Sequence, residues 1–101
     1  MKKPVTLFSS CSRSVAIFLP ELLCSLRAPE TKEEANMLML CSLLVAKKED
    51  ILIKRWRDRC ESYFINFPHQ KMSLVEILFS RWFIGLPSFQ KNLDEWVSLN
   101  S

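Results

Sequence analysis

The chain has 101 residues, of which 49% are apolar and 11% aromatic, so it is expected to form one domain with more oily material than a small core needs. A single glycine, Gly85, argues against hairpin-rich β folds and against a glycine-rich phosphate loop. The net charge of +3 is too mild to imply a nucleic-acid partner by itself.

The four cysteines, Cys11, Cys24, Cys41 and Cys60, include no Cys-x-x-Cys pair, and three of them sit in apolar stretches. They read as small buried hydrophobes of a reducing cytosol. With His69 as the one histidine, neither a disulfide framework nor a zinc site is expected. Met1-Lys2-Lys3 has the look of an export n-region, but residues 9–14 are polar and contain Arg13. The apolar run at 15–19 is then too short for a signal core. Leu22-Leu23-Cys24 lacks the small residue that a lipoprotein site places before its cysteine. No stretch approaches the length of a membrane span. A cytoplasmic location is the expectation.

Residues 1–10, with Pro4, Val5 and Thr6, are expected to be frayed or extended. A first helix is predicted from Ser12 or Ser14 to Arg27, kinked or split at Pro20, with Ala28-Pro29 as the break. The centre of the chain, 30–64, reads as a helical hairpin. Its first helix starts near Glu30, with Thr31 as N-cap and Glu34 at capping-box spacing, and runs to Lys47 or Lys48. From 37 to 46 only Ser42 is polar. A helix apolar on almost every side is buried on almost every side. It needs neighbours on two faces, which leaves room for one of them to be another protein.

The charge inversion Lys47-Lys48-Glu49-Asp50 marks a tight turn between antiparallel helices. The third helix runs to about Phe64, with Leu52, Trp56, Cys60, Tyr63, Phe64 and Phe67 as its apolar stripe. Asp50–Lys54 and Arg57–Glu61 have the spacing of ion pairs on the opposite side. After a loop at 67–71, Ser73 and Glu76 form a second candidate capping box. The fourth helix is predicted over 73–84, stopped by Gly85 in the left-handed cap role and by Pro87. Ser88 would cap a fifth helix from Phe89 to about Leu99, with Phe89, Leu93, Trp96 and Val97 inward and Lys91, Asn92, Asp94 and Glu95 outward. The fold class is therefore all-α, a single domain over 1–101 whose helical hairpins occupy 30–64 and 73–99.

No enzyme constellation is visible, and no cofactor is implied. His69 sits in a loop with no acidic or nucleophilic partner in view. The run Lys54-Arg55-Trp56-Arg57-Asp58-Arg59 suggests the alternative function, a small helical nucleic-acid-binding regulator. Trp56 belongs to the apolar stripe, however, and Asp58 and Glu61 interrupt the charge, which favours a solvated helix face. The aromatics at 79–96 leave room for one or two to line a groove for a partner helix.

Glu33-Glu34-Ala35, Leu38, Ser42 and Leu44, followed by a charged turn, resemble the middle of the YscG-type (SctG) co-chaperones of type III secretion needle subunits. Leu78-x-x-Arg81-Trp82-x-x-Gly85-Leu86 and then Leu93 resemble their C-terminal hairpin. The resemblance covers residues 30–97 in two blocks and implies a tetratricopeptide-like array of four to five helices. It also implies a role. With a second small helical chaperone, such a protein holds the monomeric needle subunit in the cytoplasm as a heterotrimer, and the subunit's C-terminal amphipathic helix lies in an apolar groove. Leu40, Leu44, Leu78, Trp82, Phe83 and Phe89 are the residues expected to line that groove.

Overall fold

A computed structural model of the chain describes residues 13–45, 50–80 and 86–100, with side chains from 17, 50 and 88 onward in the three segments. Among these the fold is all-α. The elements are α1 (Arg13–Cys24), α2 (Lys32–Leu44), α3 (Ile51–Asn66), a 3-10 turn at Pro68–Gln70, α4 (Leu74–Leu78) and α5 (Leu86–Asn100). None of these helices is long and apolar enough to cross a membrane. The expectations for 1–10, for the 47–49 part of the charged turn and for Gly85 fall outside the described residues.

Helix α1 continues through Pro20, which is buried, and is not split there. It ends at Cys24 rather than Arg27. The Ser25 N–H folds back onto the carbonyls of Glu21 (3.0 Å) and Leu22 (3.3 Å), and the Ser25 hydroxyl accepts from Arg27 N–H at 3.1 Å. A serine satisfying two turns of backbone in this way competes with further helix.

The α1 C-terminus is held from across the fold. Helix ends leave carbonyls without partners, and here α3 supplies the donors. Trp56 Nε1 donates to Leu23 O at 3.0 Å. Arg59, one turn further along α3, donates through Nε to Arg27 O at 2.8 Å and through Nη2 to Leu22 O at 3.1 Å. A cation also suits the negative end of the α1 dipole. Burial, and then the nearby Arg27, hold the Arg59 guanidinium below its ordinary pKa.

Helix α2 begins at Lys32, with Thr31 as N-cap: its hydroxyl accepts from Glu34 N–H at 3.2 Å. The expected capping box is only half formed. The Glu34 carboxylate instead accepts from Glu30 N–H at 2.8 Å and takes a two-pronged contact from Arg27, at 3.3 and 3.1 Å. Partial burial opposes the charge on Glu34, but the Arg27 and Glu30 hydrogen bonds outweigh it and lower the carboxyl's pKa. Helix α2 stops at Leu44, short of Lys47 and Lys48, because Val45 turns extended.

Asn36, buried on α2, staples the α2 start to the chain beyond α3. Its Nδ2 donates to Lys32 O (2.8 Å) and Gln70 O (3.0 Å), and its Oδ1 accepts from Met72 N–H at 2.8 Å. The start of α2 thus lies beside the chain leaving α3, so the two helices run antiparallel as expected. Asp50 caps α3 by accepting from Leu52 N–H at 2.8 Å. Neither Asp50–Lys54 nor Arg57–Glu61 forms an ion pair among the described residues; Arg27 with Glu30 and Glu34 does.

The Ser73–Glu76 capping box is fully formed, at 3.2 and 3.0 Å. Yet α4 ends at Leu78, short of the predicted Ile84. Phe79 leaves helical geometry, and both the Ser80 N–H (3.1 Å) and its hydroxyl (2.7 Å) bond Ile77 O. Helix α5 starts at Leu86, so Ser88 lies inside its first turn rather than capping it. Pro87 opens this helix, where a missing N–H costs no helical bond.

One core joins all five helices: Leu19, Leu22 and Leu23 of α1, Ala35, Met37, Leu38, Leu40 and Cys41 of α2, Ile53, Trp56, Cys60, Tyr63 and Phe64 of α3, Ile77 of α4, and Phe89, Leu93, Trp96 and Val97 of α5. Trp56 and Trp96 pack with ring centres 6.1 Å apart, and Gln90 Nε2 donates to Leu44 O at 2.9 Å, so α5 contacts both central helices. Replacing Asn36 with Leu strands the half-buried Met72 N–H and Gln70 carbonyl. Urea unfolding is expected to show a loss of about 1–3 kcal/mol. An unchanged midpoint would contradict the staple.

Candidate functional site: an apolar trough between two helices

Covering α2 with α1, α3, α4 and α5 leaves one strip of it open. On α3 the residues Arg57, Cys60, Glu61, Phe64 and Ile65 recur at spacings of three and four and share one face. They meet Met39, Ser42 and Leu43 of α2, and Pro68 and Lys71 close one end. Together they line an open trough of about 730 Å³. This lies within the size range of ordinary ligand clefts, roughly 300–1,000 Å³. The α3 part rises about 12 Å from Arg57 to Ile65, a little over two helical turns.

The trough is oily for a structural reason. Its two polar floor groups are already used: Ser42 Oγ donates to Met39 O at 2.7 Å, and the Cys60 thiol to Arg57 O at 3.2 Å. Neither presents a free donor upward. Phe64 forms part of the floor, with its ring edge-on to Tyr63 at 5.4 Å. Tyr63 also packs on Phe67 at 4.9 Å, and its hydroxyl donates to Gln70 Oε1, which fixes the closed end. Above this floor Leu43 is 52% exposed and Ile65 80% exposed. Both are large aliphatic side chains of the trough lining that open to water. Arg57, Glu61 and Lys71 are exposed and form the ionic part of the lining.

The residues expected to line a groove are placed differently. Leu40 and Phe89 are fully buried in the chain's own core. Neither side chain presents an open surface to a partner in the chain on its own. Leu44 and Leu78 are half-buried against the same core. Trp82 and Phe83 lie outside the described residues. None of the four described residues belongs to the trough lining. Sequence reasoning missed Leu43 and Ile65. Ile65 carried a signal, being a large aliphatic residue out of phase with the α3 stripe, whereas Leu43 carried none because α2 is apolar nearly all round.

The basic run on α3 also divides. Lys54, Arg55 and Arg57 are exposed, whereas Arg59 turns inward to the α1 carbonyls. A nucleic-acid face built on all four therefore loses its last member to the fold. His69 is exposed on the 3-10 turn. A smaller depression of about 240 Å³, beside Phe18, Glu21 and Ser25, is bounded by the Arg27–Glu34 contact.

Comparison of the chain with family models, with curated proteins and with solved structures gives no significant match.

Burial, then the nearby Glu61 carboxylate, push the Cys60 thiol up to about 11. Cys41 is buried and Cys24 exposed. A maleimide at pH 7 is therefore expected to label Cys24 in the native protein and to reach Cys41 and Cys60 only after denaturation. Peptide mapping that finds Cys60 labelled at the rate of Cys24 would show that the trough floor is not closed.

Proposed function

We propose that the chain is a helix-binding adaptor and that its trough receives the apolar face of a partner's amphipathic helix. The observation that carries this reading is the pairing of a closed, hydrogen-bond-satisfied floor with exposed Leu43 and Ile65 on its walls. A guest helix places side chains at i, i+3, i+4 and i+7 into such a groove. Fully covering a leucine or isoleucine stabilises a complex by about 1.5–3 kcal/mol before the ordering costs are subtracted.

The finer form of the proposal follows the resemblance to the YscG-type co-chaperones. In that form the partner is a type III secretion needle subunit, held in the cytoplasm with a second small helical chaperone. The complex keeps the subunit's helix covered and so prevents premature polymerisation. The groove is assigned to the α2–α3 trough rather than to Leu40 and Phe89, which the core occupies.

The test is co-expression of the chain with a needle subunit and its second chaperone, followed by size-exclusion chromatography with light scattering. A soluble heteromeric complex is expected. Leu43→Asp and Ile65→Asp are each expected to weaken it at least tenfold while leaving the circular dichroism unchanged, because both side chains are surface groups. Absence of a complex overturns the needle-subunit assignment. A complex indifferent to both substitutions overturns the trough as its site.

A further inference from the structure

We infer that the trough selects its guest by charge, and that the preferred helix carries an apolar stripe flanked by acidic residues. This rests on the helix-binding reading above and narrows the partner's chemistry. The floor can attract an apolar stripe but cannot choose among stripes, because Ser42 and Cys60 spend their polar atoms on their own helices. Selection falls to the ionic side chains of the lining.

Those side chains are Arg57, Glu61 and Lys71, two cations against one anion. Arg57 and Glu61 stand one turn apart on α3 yet form no ion pair among the described residues, and neither does Lys71. Lys54, three residues before Arg57 and exposed, extends the positive flank by another turn. A guest with acidic flanks meets charges that are not already neutralised. A guest with basic flanks brings cations against three cations, Lys54, Arg57 and Lys71, and a single anion, Glu61. Rim charges of this kind act on partner choice and association rate more than on total affinity.

The test uses two fluorescein-labelled peptides of about 18 residues, long enough to sustain a helix. Both carry the same leucine stripe, one flanked by glutamate and the other by lysine. Fluorescence anisotropy is expected to show the glutamate peptide binding about tenfold tighter at low salt, with the preference shrinking as salt screens it. In the double variant Arg57→Glu, Lys71→Glu the preference should reverse. In the control Arg55→Glu, Lys91→Glu, which makes the same change of net charge at exposed positions outside the trough lining, it should persist.

Equal binding of the two peptides overturns the charge inference and leaves the groove reading standing. So does a preference lost equally in both double variants. Binding of neither peptide overturns the groove reading and this inference with it. A dimer of the free chain that Ile65→Asp dissociates assigns the trough to a second copy and likewise overturns the inference.

Discussion

Helix α2 is apolar nearly all the way round, and the rest of the fold is the set of partners that cover it. Ala35, Met37, Leu38, Leu40 and Cys41 point in several directions and all are buried. No single neighbouring helix could enclose them. Helix α3 takes one side, α1 and α4 take others, and α5 reaches the α2 C-terminus through Gln90 and Leu44 O. In a chain this small the supply of covering helices ends before the surface of α2 does. The strip from Met39 to Leu43 is what remains, and α3 frames it without closing it.

Polar groups make this packing specific. Apolar contact alone would let helices slide, since burial is non-directional. Trp56 and Arg59 fix α3 against the end of α1 through three backbone carbonyls. Asn36 fixes the start of α2 against the strand of chain beyond α3. These donors and acceptors reach 32 to 37 residues along the sequence, so they hold the hairpin's geometry rather than local helix. The same contacts shape the electrostatics. Arg59 is drawn out of the surface basic run, while Arg57 stays at the trough.

Much of the fold was legible because local rules and burial agreed. The α5 stripe of Phe89, Leu93, Trp96 and Val97 is buried as its period requires. The Ser73–Glu76 box forms with both of its hydrogen bonds, as the spacing requires. Where a local rule failed, another nearby partner took the side chain. Glu34 bonds Arg27 and the Glu30 N–H, and Asp50 caps α3 without an ion pair to Lys54. The α4 end was illegible from hydropathy because Ser80, a polar residue next to the apolar run, folds back on Ile77. The trough was the least legible feature. The most apolar residues look like candidates for a groove, but they are also the first to be buried. Leu40 and Phe89 followed that rule, whereas Leu43 and Ile65 stay exposed in the trough lining.

The isolated chain leaves an oily trough open between α2 and α3. Methyl NMR of the purified protein with a soluble paramagnetic agent tests it most directly. The Leu43 and Ile65 methyls should broaden strongly, while those of Leu40 and Ile53, fully buried nearby, stay sharp. Equal protection of all four would mean that the chain closes over its own surface, and that the trough does not exist.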